Sequence, residues 1–319
     1  MRVLITGAAG FIGRQLLDQL AVQHPDWSLI ACDIRPLNRA GIPVNVEPVQ
    51  LDMGQPLAVQ QCVARWQPQA IVHLASVVTP PPGMGEAQLH AIDVGGTRAL
   101  VEAAAREGVE QLIVTSSGAA YGYHAENAEW LDEQQPLRGH PQFAYAKHKR
   151  EVEELLAAAR QQHPQLGQLI LRPGTVLGKR VDNQITDMFK KPRVLGIRGR
   201  DSRFVFIWDQ DVVSIIIRGL ERRACGIYNL AGDGALSLRE IAGILGKPYL
   251  PLPAGLIRGL LAVLKPLRLS QYGPEQVDFL RYRPVLANQR LKQEFGYTPR
   301  YSSREAFIAF LDAQGMQHA

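Results

Sequence analysis

Short apolar runs alternate with longer amphipathic stretches through the first half of the chain. Val3–Thr6, Ser28–Cys32, Ala70–Ala75, Gln111–Ser116 and Gln168–Arg172 are rich in Val, Ile and Leu, with few polar interruptions. Continuous apolarity of this kind means strands covered on both faces, which is the condition inside a parallel sheet flanked by helices. Between these runs, Phe11–Leu20, Leu57–Trp66, Val94–Glu107 and Phe143–Arg160 carry helical periodicity and many alanines. The rhythm predicts an α/β fold, a doubly wound parallel sheet. Beyond residue 172 it changes. Gly174–Arg203 is rich in glycine and basic residues, and Phe204–Trp208 and Gly226–Leu230 read as further strands. From Leu236 the chain is helical, with a proline-rich break at Pro248–Pro253 before Leu256–Leu269. A nucleotide-binding domain over residues 1–172 and a smaller, mainly substrate-binding α/β domain over 173–319 follow, with strands within 204–232 rejoining the first sheet.

Composition narrows the class. With 319 residues, 46% of them hydrophobic, the chain can bury a core without a disulfide or metal staple. No uninterrupted apolar run is long enough to span a bilayer, so stable membrane insertion is not expected. Cys32, Cys62 and Cys225 are far apart in the chain and form no CxxC, which argues against a disulfide framework or a zinc site. Met1–Gly7 reads as a strand entering a turn, not as a secretory leader. A cytoplasmic protein is expected. The net charge of +5 is a small excess, and nucleic-acid binding needs a patch instead.

Gly7-Ala8-Ala9-Gly10-Phe11-Ile12-Gly13 follows the first strand and opens the first helix. Glycines let a backbone approach a pyrophosphate, and the helix end offers unpaired N–H groups with a positive dipole end. Asp33, at the end of the second strand, suits the two ribose hydroxyls of NAD and repels the 2′-phosphate of NADP. Arg35 and Arg39 lie near enough to keep NADP as the less favoured choice. Further on, Tyr145 has Lys149 four residues later, on one face of a helix. An ammonium beside a phenol favours the phenolate, which a general base for an alcohol requires. Thr115-Ser116-Ser117-Gly118 brings hydroxyls to a strand end.

Taken together, these motifs resemble the extended short-chain dehydrogenases/reductases, the NAD-dependent epimerase/dehydratase family. The resemblance runs through the glycine loop, Asp33, Leu51-Asp52-Met53, His73-Leu74-Ala75-Ser76, Ser117 to Gly122, Tyr145–Lys149 and Leu171–Gly174. It continues through Arg203–Val212 and Gly226–Ala231. It implies a Rossmann-type sheet and a catalytic Ser117, Tyr145 and Lys149. It also implies cofactor contacts at Gly7, Gly10, Phe11, Ile12, Gly13, Asp33, Asp52, Met53, Ala75, Tyr145, Lys149 and Pro173. Tyr145 would take the proton of a secondary alcohol, Lys149 would hold the phenol and the nicotinamide ribose, and Ser117 would bind the reacting oxygen. The family's pairing of two helices per subunit implies a homodimer through Val94–Glu107 and Phe143–Arg160, where Ala99, Ala103, Ala104 and Ala105 allow close approach.

Departures from the pattern bear on the reaction. Gly118 and Ala119 stand where the dehydratases and decarboxylases carry an acid, so those reactions are disfavoured. Pro173-Gly174-Thr175 replaces an asparagine common in enzymes of nucleotide sugars, whereas Arg203 fits an arginine that grips a pyrophosphate. The small-molecule substrate is therefore a secondary alcohol, with a nucleotide sugar as one option. A hydrophobic alcohol handled as by 3β-hydroxysteroid dehydrogenases is the alternative, and a non-catalytic dinucleotide sensor is another. Leu256–Leu269 reads as core of the smaller domain before a substrate wall or a membrane contact. His73 reads as a satisfied core histidine. No metal site is expected.

Overall fold

The computed structural model describes residues 1–37, 42–81, 83–267 and 273–318. Six strands succeed one another up to residue 173: β1 (Arg2–Thr6), β2 (Ser28–Asp33), β3 (Val46–Gln50), β4 (Ala70–His73), β5 (Gln111–Thr115) and β6 (Gly167–Pro173). A seventh, Gly226–Leu230, pairs in parallel with β6. The resulting order is Gly226–Leu230, β6, β5, β4, β1, β2, β3, and every pairing is parallel. The chain reverses direction across the sheet between β1 and β4, so their carboxyl ends open a crevice there. That crevice is where the site lies.

Burial explains why these segments are strands. Val3, Leu4, Ile5, Leu29, Ile30, Ile71, Val72, Leu112 and Ile113 are wholly buried, with alternate residues serving two separate cores. One core packs Phe11–Gln23 and Asp209–Arg222 on one face of the sheet; the other packs Pro56–Trp66, Gly96–Arg106 and Ala144–Gln162 on the opposite face. A third apolar cluster, outside the sheet, joins Phe189, Phe204, Phe206, Phe307 and Phe310.

Several details differ from the sequence reading. β3 carries Glu47 and Pro48 and is an edge strand, where a missing N–H is tolerated. The Phe204–Trp208 run divides into Arg203–Phe204 and Phe206–Trp208, which pair with Leu236–Ser237 and Thr175–Leu177 outside the central sheet. The helix expected from Val94 starts at Glu86 and contains a π-turn at Ala91–Gly95. Ala99, Ala103 and Ala104 are buried in this chain's own core, so they are not available to a second subunit. Ala254–Leu264 has no buried residue, which overturns its assignment to the core. Leu256, Leu260 and Val263 lie along its outer side, 55–59% exposed, and Leu267 beyond its end is 60% exposed. Arg39, Arg268 and Leu269 lie outside the described residues. Among the described residues no helix is long and apolar enough to cross a membrane.

Candidate active site

A cavity of about 660 Å³ lies over the carboxyl ends of β1, β4, β5 and β6. Gly7, Gly10, Phe11, Ile12 and Gly13 line one end, and Ser117, Tyr145, Lys149 and Pro173 line it further along. Residues distant in sequence meet here because parallel strands all point their carboxyl ends the same way.

The glycine loop suits a pyrophosphate because side chains have no room in it. A Cβ on Gly13 would collide with the Gly7 carbonyl, and one on Gly7 would stand 2.7 Å from the Ala75 nitrogen. Gly7 also has φ +70°, which side chains disfavour. The following helix has no side-chain cap at Gly10 and no acid in its first turn, so its N–H groups face the cavity end without an internal anion. Asp33 is buried at the end of β2. It accepts N–H bonds from Ala9 (2.9 Å) and Arg35 (3.0 Å), and the Arg35 side chain reaches it at 3.3 Å. Asp52 accepts the Gly54 N–H at 2.8 Å. Met53 is packed in the core against Gly96. The Ala75 N–H donates to the Thr6 hydroxyl at 3.3 Å.

Tyr145 and Lys149 project from the first turns of Ala144–Gln162. Lys149 Nζ donates to the Thr115 carbonyl at 3.0 Å and stands 5.6 Å from the Tyr145 ring centre. The expected lowering of the phenol by this lysine is not what governs it. Burial pushes Tyr145 up to about 12, the Ser117 hydrogen bond pulls it down, and Asp93 adds to the rise. Burial likewise lowers the Lys149 ammonium, against the pull of Asp93 and Glu153. Enclosure thus sets the direction of both shifts. Ser117 Oγ accepts the Ala119 N–H at 3.1 Å, capping the short turn after β5.

Beneath these groups two buried networks hold the site. His73 Nδ1 meets the Thr6 hydroxyl at 2.7 Å and Nε2 meets the Thr97 hydroxyl at 2.9 Å. Thr97 in turn donates to the Asp93 carbonyl at 2.5 Å, which assigns the proton of neutral His73 to Nε2. His73 is the satisfied core histidine of the sequence reading, lowered to about 3 first by burial and then by Lys149. In the second network, Arg172 grips Glu153 with Nη2 at 2.6 Å and Nε at 2.9 and 3.0 Å. Arg172 also donates to Tyr121 Oη at 2.7 Å, and Ser116 donates to Glu153 at 2.5 Å.

Across residues 3–231 the chain matches the family described as the NAD dependent epimerase/dehydratase family. The chain belongs to that family. An uncharacterized protein of Mycobacterium tuberculosis (strain H37Rv) is 26% identical over 320 residues, covering 98% of this chain and 84% of the relative. One from Sinorhizobium fredii is 26% identical over 263 residues, covering 76% and 71%. Among solved structures, UDP-glucose 4-epimerase of Thermus thermophilus in complex with NAD superposes with a TM-score of 0.73 at 22% identity. It covers 99% of this chain and 100% of that one. The Thermotoga maritima UDP-glucose 4-epimerase with UDP-glucose gives 0.74 at 18% identity, covering 99% of each.

Within this epimerase/dehydratase fold, the substrate end departs from the sequence reading. Arg203 does not line the cavity; it pairs with Glu129 at 2.8 Å and lies 5.8 Å from the Trp130 ring centre. Arg283, which the sequence reading missed, occupies the cavity instead. Its guanidinium is sandwiched between Phe204 and Phe279, 4.0 and 4.5 Å from the ring centres, and donates to Thr175 at 3.2 Å. Its Nη1 is shielded and has no hydrogen-bond partner among the described residues. Burial lowers it to about 10. Tyr123 and Phe143 complete an aromatic wall with Phe279. Tyr121 belongs to the Arg172 network below. Among the described residues no group of His, Cys, Asp and Glu could hold a metal ion.

Proposed function

We propose that the protein is an NAD-dependent oxidoreductase or epimerase acting on a secondary alcohol whose molecule also carries an anionic group. The observation that carries this is the convergence of Ser117, Tyr145 and Lys149 with the glycine loop and Arg283, whose Nη1 has no partner among the described residues, in one cavity.

In this reading the N–H groups at Gly10–Gly13 hold the pyrophosphate, Asp33 holds the adenine ribose with Asp52, Met53 and Ala75 alongside, and Pro173 borders the nicotinamide. NAD in its oxidised form would supply the hydride acceptor and, on the same nicotinamide ring, a positive charge. Ser117 orients the substrate oxygen and stabilises charge on it. Tyr145 takes the hydroxyl proton at its phenolic oxygen. Because enclosure holds that phenol near 12, proton removal depends on positive charge entering the site with its ligands. Lys149 stands ready to supply part of that field, and its bond to Thr115 fixes where it sits. Arg283 positions the anionic end, leaving the alcohol beside Tyr145. Residues 1–172 would thus serve mainly the dinucleotide and 173–319 mainly the substrate, to which Arg180, Phe279 and Arg283 contribute.

The aromatic wall favours a second reading, a hydrophobic alcohol or ketone handled as in the 3β-hydroxysteroid dehydrogenases. A nucleotide sugar satisfies Arg283 through its pyrophosphate; a neutral hydrophobic alcohol leaves it unpaired. The sensor reading is disfavoured by the presence of all three catalytic residue types. A cytoplasmic homodimer joined by the outer faces of Gly96–Arg106 and Ala144–Gln162 is also part of the proposal. A monomer by light scattering at micromolar concentration would end that part.

The deciding experiment is mass spectrometry of small molecules released from fresh protein, followed by turnover of the implied substrates with a Tyr145→Phe control. Retained NAD with isomerisation of a nucleotide sugar, lost in Tyr145→Phe, supports epimerisation. Turnover of neutral hydrophobic alcohols alone supports the second reading. Activity unchanged in Tyr145→Phe refutes both.

A further inference from the structure

We infer that Cys32 and Cys62 form a thiol-oxidation site, which a hydroperoxide converts reversibly to a disulfide tying the end of β2 to the helix Pro56–Trp66. Thirty residues separate them in sequence, yet their sulfur atoms lie 3.8 Å apart. A disulfide needs about 2.05 Å, so each sulfur has to move by only about 0.9 Å. Both side chains are buried, Cys32 at 1% exposure and Cys62 at 7%. Cys32 is therefore shielded and faces its partner, whereas Cys62 keeps the small exposure through which a hydroperoxide reaches it. Cys225, by contrast, is exposed.

The surroundings assign the order of reaction. Cys62 is the more accessible of the two, and Arg65 follows it by one helical turn. The Cys32 hydrogen bond holds the Cys62 thiol below its ordinary value, against desolvation and with help from Arg65. The same bond, burial and the neighbouring Asp33 raise Cys32. The Cys62 thiolate thus attacks a peroxide oxygen, breaking the O–O bond to give a sulfenic acid and, after protonation, one water or alcohol. Cys32 sulfur then displaces the sulfenic hydroxyl, which leaves as water with the Cys32 proton. The two thiols lose two electrons and the hydroperoxide gains them.

The site's position gives the bond a consequence. The Cys32 carbonyl accepts the Ala8 N–H at 3.1 Å, and the next residue, Asp33, accepts the Ala9 N–H at 2.9 Å. Moving Cys32 toward the helix therefore pulls directly on the glycine loop. Weaker NAD binding after oxidation follows, and this part rests on the cofactor reading above.

The test treats the reduced full chain with equimolar hydrogen peroxide, then alkylates it under denaturing conditions and maps its peptides. The expected product is about 2 Da lighter before alkylation and takes no alkyl group at these two positions, with one cross-linked peptide joining Cys32 and Cys62 that dithiothreitol separates. Cys225→Ser keeps this result and Cys62→Ser abolishes it. Since the wild-type map is decisive by itself, a poorly folding variant does not spoil the test. The inference is overturned if both thiols remain alkylatable when Cys225 is already oxidised. It is equally overturned if Cys62 gains about 32 Da as a sulfinic acid without cross-linking. NAD affinity, measured separately, is expected to fall at least threefold on oxidation (~3-fold, about 0.7 kcal/mol); an unchanged value in a cross-linked protein removes the coupling. Reduced protein that binds no NAD instead refutes the cofactor reading, and the mass result still decides the site.

Discussion

Arg172 and Arg283 are both enclosed, yet replacing each by methionine should have opposite signatures. Arg172 is almost fully buried against a carboxylate that it contacts with two nitrogens. Arg172→Met leaves Glu153 charged and dry, a loss of about 3–5 kcal/mol. Arg283 has no carboxylate partner among the described residues. Burial lowers it from 12.5 to about 10, and at ~1.4 kcal/mol for each pKa unit this sets an upper bound of about 3.5 kcal/mol on the cost of keeping it charged. Solvent screening trims that figure, because the residue is only half-buried. Two ring contacts of about 0.5–1 kcal/mol each and one hydrogen bond of about 1 kcal/mol offset most of it. Arg283→Met should therefore unfold within about 1 kcal/mol of wild type. The assay is urea denaturation followed by circular dichroism, with and without uridine diphosphate as an anionic probe. Wild type should gain about 2.7 kcal/mol at a hundredfold excess over Kd, and Arg283→Met much less. Equal losses in the two variants, or a probe effect that survives Arg283→Met, would refute the reasoning.

Three further outcomes follow from the same geometry. His73 is lowered from 6.5 to about 3 in the folded state. Its contribution to stability is therefore complete above pH 6.5 and is lost as pH falls toward 3, by about 2 kcal/mol at pH 5. His73→Gln should flatten the urea midpoint between pH 7 and 5, and an unchanged slope would assign it elsewhere. Gly13→Ala puts a methyl into the Gly7 carbonyl; NAD binding by calorimetry should weaken at least tenfold, about 1.4 kcal/mol, with native circular dichroism retained. Lys149→Met should move the rising limb of the oxidation rate to higher pH, since less positive charge then favours the phenolate; an unmoved limb would remove Lys149 from that role.

What could be read from the sequence was local. The strands announce themselves because both their faces are buried, as at Leu29–Cys32 and Leu112–Val114. Tyr145 and Lys149 are one helical turn apart, and the glycine loop is contiguous. β3 escaped because an edge strand carrying Glu47 and Pro48 lacks that apolar signature. Arg283 escaped because its partners, Thr175, Phe204 and Phe279, are joined to it by packing rather than by spacing. Arg203 has the right motif around it, but Glu129 lies close enough to claim it. The alanines of Gly96–Arg106 show the limit from the other side: small residues signal close approach without saying which neighbour approaches.

The π-turn at Ala91–Gly95 acts as a phase shift in an otherwise continuous helix. Ahead of it, Glu86 binds Lys147 and His90 binds Glu151, both on the helix that carries Tyr145. At and beyond it, Asp93 accepts the Val77 N–H and the His148 ring nitrogen, while Thr97 closes the His73 chain. Removing one residue from this turn would restore a regular helix and rotate everything on one side by about 100°. Either the grip on the Tyr145 helix or the link to His73 would then swing away. The register of this segment is therefore a one-residue vernier for the position of the proton-transfer groups, and its length tolerates no adjustment even where its side chains do.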